Sequence, residues 1–215
     1  MKSKRWSRLV LFFLAIPSLV LACNGGGEVP SPEVKPPEGT PIKEERLPAP
    51  TTGEQTLLAS MLPSVQEMST LLPGRQWTAG ETGEATISAA QPTTGLIASW
   101  GRVFSAPTRD AQPPEEVQIF LTLYDAEDNA DAAMQALQQL DIEVEPFDLE
   151  EAGDESQGLV TRPPDGPPYT VALLRVDRVV AGIILPLSDE HGERREEVRQ
   201  LAQMVAGNIQ LALER

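Results

Sequence analysis

The side chains that most often carry chemistry are scarce in this chain. There is one histidine, His191, and one cysteine, Cys23, in 215 residues. A Ser-His-acid triad would have to use His191, which sits in Ser188-Asp189-Glu190-His191-Gly192. No Gly-x-Ser-x-Gly turn presents a nucleophile to it, so His191 reads as a residue at the entry to the last helix. All four lysines, at positions 2, 4, 35 and 43, precede residue 51. A Schiff-base lysine, a Ser-Lys dyad or a phosphate-loop lysine therefore has no candidate in the remainder. Zinc, which leans on histidine and cysteine, finds one histidine and no cysteine there. Carboxylates are plentiful, 32 in all, and a facing pair could hydrolyse glycosides, but abundance alone discriminates nothing. Aromatic residues mostly fall in strand patterns and read as core. Trp77 is the exception: it lies in Gly74-Arg75-Gln76-Trp77, after a helix and before a weak strand. It is the one candidate for lining a cleft or touching a partner, against the simpler expectation of packing at the core edge.

Two acidic clusters test the possibility of calcium. Asp125-Ala-Glu127-Asp128-Asn129-Ala130-Asp131 has the spacing that opens a calcium loop. It lacks the glycine at the sixth position and carries Ala136 where the closing bidentate glutamate belongs. Helix capping explains it better: Asp125 as N-cap, with Glu127 and Asp128 at the positive helix end. The second cluster is Asp148, Glu150, Glu151, Asp154 and Glu155. A loop that gathered these oxygens could hold calcium, but a solvated charged loop is the simpler expectation. No catalytic set, metal or cofactor is expected.

The N-terminus reads as an address. Lys2, Lys4, Arg5 and Arg8 precede an apolar run from Leu9 to Ala22, 14 residues long. That is short of the roughly 20 a membrane-spanning helix needs, and Pro17 weakens it further. A basic start, a short apolar core and a small residue before the cut describe an export signal over residues 1–22. The run ends in Val20-Leu21-Ala22-Cys23, which resembles the bacterial lipobox, although Leu21 is a less common residue there than Ala or Ser. The resemblance implies cleavage before Cys23 and acylation of its thiol, with membrane attachment through that lipid. In the same family an Asp after the cysteine favours the inner membrane; Asn24 stands here, which leaves the cell membrane and the outer membrane both open. Acylation would also account for a lone thiol in an exported chain, and multiple acyl chains anchor far more firmly than one.

From Asn24 to Pro50 the composition shifts to Gly25-Gly26-Gly27 and prolines at 30, 32, 36, 37, 41, 48 and 50. This stretch has too little apolar surface to offset its ordering entropy. It reads, with Cys23, as a linker over 23–50, extended at about 3.1 Å per residue where proline-rich. Residues 51–215 then make one domain with a sizeable core. Ten arginines against 27 acids give that domain a charge of −17. Such a surface repels nucleic acid and anionic headgroups, and keeps an exported domain soluble.

The elements follow from periodicity. Thr56–Leu72 has a helical apolar spacing interrupted by Pro63. Weak strand character over Ala85–Ala90 precedes better strands at Leu96–Ser105 and Glu116–Tyr124. A helix opens at Asp125, with a stripe of Ala130, Ala133, Met134, Leu137 and Leu140. Strands are expected near 142–148, 157–162, 169–176 and 179–187, the last two as a hairpin. Its Asp177-Arg178 turn is a poor match for tight hairpin residues, so a longer turn is expected. A terminal helix from about Glu190 buries Val198, Leu201, Ala202, Val205, Ile209 and Leu213. The fold expected is α+β: a largely antiparallel sheet of about six to seven strands with an N-terminal, a central and a C-terminal helix.

This order resembles the sensor-type and PsbP-like α+β domains found on bacterial envelope lipoproteins. The echoes are Ala152-Gly153-Asp154-Glu155 before a strand and the Val171–Leu187 hairpin before a terminal helix. Neither is a catalytic motif, and the resemblance implies a non-catalytic binding or sensing module outside the cytoplasm, with an unidentified protein or small molecule as partner. An envelope assembly factor, or a hydrolase working through carboxylates alone, are the alternative readings.

Overall fold

The computed structural model describes residues 52–80, 82–84, 91–108, 115–139, 144–162, 167–187 and 194–215. All of them fall in one compact unit, Ala49–Arg215. The signal, Cys23, the proline-rich linker, the Ala85–Ala90 strand and His191 lie outside the described residues.

Pro63 breaks the first apolar stripe into two helices, α1 (Thr52–Met61) and α2 (Val65–Leu71). Ser64 restarts the helix through a capping box. Its hydroxyl accepts from the Glu67 amide at 3.2 Å while the Glu67 carboxylate accepts from the Ser64 amide at 2.7 Å, a pairing worth about 1 kcal/mol. Two short strands that no periodicity announces, β1 (Thr78–Ala79) and β2 (Gly83–Glu84), lead into β3 (Leu96–Ala106) and β4 (Glu115–Tyr124). Helix α3 (Glu127–Gln138) crosses to β5 (Val144–Phe147), β6 (Glu155–Thr161), β7 (Tyr169–Val176) and β8 (Val179–Pro186), and α4 (Arg195–Leu213) ends the fold.

The strands form one eight-stranded sheet in the order β1-β3-β4-β8-β7-β6-β5, with β2 also paired to β3, and every described pairing is antiparallel. The fold is therefore α+β, with the three helical regions the sequence implies. The period-2 pattern of β4 sorts its side chains cleanly. Val117, Ile119, Leu121 and Leu123 enter the larger core with α1, α2 and α4, where Leu58, Met61, Val198, Leu201, Val205 and Ile209 are buried. Each such fully buried aliphatic side chain contributes about 1.5–3 kcal/mol. A smaller cluster on the opposite face joins Ala130, Ala133 and Met134 of α3 to Tyr124, Leu159, Leu173 and Val180.

Three local expectations are corrected. Asp125 does not cap α3: the N-cap position is Ala126, without a side-chain cap, and Asp125 Oδ1 instead accepts from Asn129 Nδ2 at 2.7 Å. The β7–β8 turn is the tight two-residue form, since Val176 pairs with Val179. Asp177 takes φ 51 there, and its amide donates to the Asp154 carboxylate at 2.6 Å, so a distant side chain supplies what the local sequence lacks. The terminal helix begins at Arg195, a few residues later than expected.

Candidate functional site

The two faces of the sheet are covered unequally, and the difference locates the site. On the α3 side the register aligns Val103, Gln118, Ile184, Val171 and Leu159 in one row across five strands, and Gly101, Phe120, Gly182, Leu173 and Gln157 in the next. Helix α3 covers the end of this face near Tyr124. Phe120, Ile184, Val103 and Tyr169 are each partly exposed, and none packs against either core cluster. They form an apolar surface that stays partly exposed.

Its relief comes from two glycines. A Cβ at Gly101 would stand 2.9 Å from Phe120 Cδ1, so the ring leans over β3 across a residue that has no side chain to obstruct it. A Cβ at Gly182 would meet only Leu173 Cδ2, at 3.9 Å. Gly182 is thus the floor of a shallow trough with Phe120 on one side and Leu173 on the other, continued along the strands by Ile184 and Val171. Apolar walls with few polar groups are the usual composition of a small-molecule site.

Polar groups stand at the end of this face away from Tyr124. Glu116 is two residues before Gln118 on β4 and therefore on the same face. It is partly buried, and its carboxylate makes no ion pair or hydrogen bond with the described residues. Tyr169, in the corresponding position on β7, has its phenol pKa pushed up by burial, which keeps the hydroxyl protonated and able to donate. Among the described residues the trough holds one carboxylate, whereas carboxylate-driven glycoside hydrolysis uses two.

The residues singled out by sequence fall elsewhere. Trp77 is 4% exposed, and its Nε1 donates to Leu72 O at 3.3 Å. It belongs to the larger core. The acidic run from Asp148 to Glu155 is held by packing and by α4. Leu149 and Ala152 are buried, Gln203 donates to Glu150 O at 3.0 Å, and Arg199 reaches both Asp148 O at 3.3 Å and the Glu150 carboxylate at 3.6 Å. Gly153 (φ 86) allows the backbone to approach Arg175 O, which accepts from the Asp154 amide at 2.8 Å. Two of the Asp125–Asp131 acids likewise meet an arginine: Arg175 lies 3.0 Å from Glu127 and 3.9 Å from Asp131, and also 3.7 Å from Asp154 and 3.9 Å from Glu155. Among the described residues no group of three histidine, cysteine or carboxylate side chains is placed to hold a metal ion, and no helix is long and apolar enough to cross a membrane.

One polar cluster escaped the sequence entirely. Arg194, with 2% of its side chain exposed, contacts Glu115 and Glu197. Arg75 binds the same two carboxylates at 2.7 and 3.1 Å. This charge-balanced quartet ties the start of β4 to the start of α4 and to the turn after α2. Its members are up to 122 residues apart, beyond the reach of any local pattern.

No protein-family model matches the chain, and no curated protein matches it either. Among solved structures, the fold is similar to that in the crystal structure of the extracellular domain of PknH from Mycobacterium tuberculosis, at TM-score 0.52 and 12% identity, covering 78% of this chain and 99% of that one. At that identity the likeness is one of fold.

Proposed function

We propose that this protein is a non-catalytic binding or sensing module, presented outside the cytoplasm on a proline-rich linker and held to a membrane through lipid on Cys23. The observation that carries the reading is the partly exposed apolar trough around Gly182, a surface suited to holding a ligand and, among the described residues, poor in groups that would transform one. The fold supports it: it is shared with a domain described as extracellular. The leader ending in Ala22-Cys23 and the absence of any further thiol support the anchor. The domain's charge of −17 fits a soluble body held away from anionic headgroups rather than one lying on them.

The test is Cys23→Ser in the native host, followed by palmitate labelling and fractionation. The wild type is expected to take up label and sediment with membranes. The variant is expected to lose the label and leave the membrane fraction. Label-free wild-type protein, or a variant retained with the leader uncut just as the wild type is, would sink the anchor.

A further inference from the structure

The trough has a chemical polarity that names a ligand class. Its floor and walls, Gly182, Phe120, Leu173, Ile184 and Val171, are apolar. The end away from Tyr124 carries one carboxylate among the described residues, Glu116, partly buried and without a cationic partner there. Four residues of β4 separate Phe120 from Glu116, about 13 Å along a strand. A carboxylate with no counter-charge among the described residues offers an incoming cation a charge to pair with. Other described carboxylates on these strands and on α3 are engaged. Glu115 points to the opposite side and meets Arg75 and Arg194, and Glu127, Asp131, Asp154 and Glu155 surround Arg175 at the α3 end.

We propose that the trough binds a small amphipathic cation, with its apolar chain or ring laid over Gly182 between Phe120 and Leu173 and its ammonium or guanidinium head at the Glu116 carboxylate. This deepens the binding-module reading and rests on it. Charge complementarity selects the occupant: the domain's −17 disfavours anions over the whole surface, and Glu116 gives the preference for a cation a specific position. Tyr169, beside the same end, adds a neutral hydroxyl donor to the rim.

The test uses the full chain and three probes of equal length, n-octylammonium, octan-1-ol and octanoate, titrated calorimetrically at physiological salt so that long-range attraction is screened. Two variants accompany the wild type. Glu116→Gln removes the charge and keeps the shape. Gly182→Leu fills the floor: the backbone there is outside the left-handed region and the space is open, and an unchanged thermal midpoint certifies its fold. The leader and linker are common to all three proteins, so differences between them report the trough. The wild type is expected to bind octylammonium about tenfold more tightly than octanol. Glu116→Gln should abolish that ratio without changing octanol binding, and Gly182→Leu should weaken both probes at least tenfold. Equal ratios in wild type and Glu116→Gln, or no saturable octylammonium binding, would overturn the proposal. If octanoate instead binds and is lost in Gly182→Leu, the cation class is wrong while the binding module stands. If no probe responds to Gly182→Leu, the trough itself is not a binding site.

Discussion

Replacing Arg194 with methionine tests whether the quartet of Arg75, Glu115, Arg194 and Glu197 holds the helix to the sheet. Methionine keeps the length of the side chain and removes its charge. The guanidinium is almost wholly buried, at 2% exposure, while Glu115 and Glu197 keep 15% and 26%. Breaking a buried pair costs about 3–5 kcal/mol because the partner charge is left uncompensated. Here Arg75 still reaches both carboxylates, so the expected loss lies at the low end, about 3 kcal/mol. For a domain of this size that is a fall of roughly 6–12 °C in midpoint. The backbone offers a second handle, because Arg194 sits at φ 52, a left-handed conformation that costs a residue with a Cβ about 1 kcal/mol. Arg194→Gly should thus be milder than Arg194→Met by about that amount, and adding Glu115→Gln to Arg194→Met should recover part of the loss. Urea unfolding followed by circular dichroism measures all three. A loss below about 1 kcal/mol in Arg194→Met, the range of exposed ion pairs, would refute the argument that this network is buried and coupled.

Gly95→Ala should destabilise by about 2 kcal/mol, because Gly95 has φ 70 and a Cβ there would stand 2.2 Å from both Asp125 Oδ1 and Asn129 Nδ2; thermal denaturation is the measurement, and a neutral result would contradict the packing at the start of α3. Ser64→Ala should cost about 1 kcal/mol at neutral pH. The Ser64 hydrogen bonds hold the Glu67 carboxyl below its ordinary value. A depressed carboxylate contributes stability above its unfolded pKa and loses it as pH falls through the lower folded pKa. The gap between wild type and Ser64→Ala should accordingly close on acidification below about pH 4, with the Glu67 titration in the variant moving up when followed by NMR; a gap that stays constant with pH would contradict the capping box.

What the sequence disclosed and what it hid follow from the range of the interactions. The faces of β4 were legible because alternation is a local property: Val117 through Leu123 face the larger core as their spacing requires. The buried face of α4 was legible for the same reason, and Pro63 marked the break between α1 and α2. Strands of two residues, β1 and β2, are too short to carry a period. Trp77 was ambiguous because its neighbours in sequence do not reveal that Leu72 O receives its indole N–H. The tight Asp177 turn depends on Asp154, and the acidic loop depends on Arg199 and Gln203, none of them adjacent in the chain. The trough was hidden for a related reason. Phe120 reads as one more strand residue until the register sets it between Gly101 and Gly182.

The most direct test of the central claim is the sidedness of the folded unit. Protease is added to intact cells stripped of any outer barrier, and the products are read with an antibody to the terminal helix. A domain tethered outside the cytoplasm by an extended linker should be cut in that linker and released as a stable fragment beginning near Ala49, without lysis. Full-length protein that resists the protease until the cells are broken open would contradict the reading.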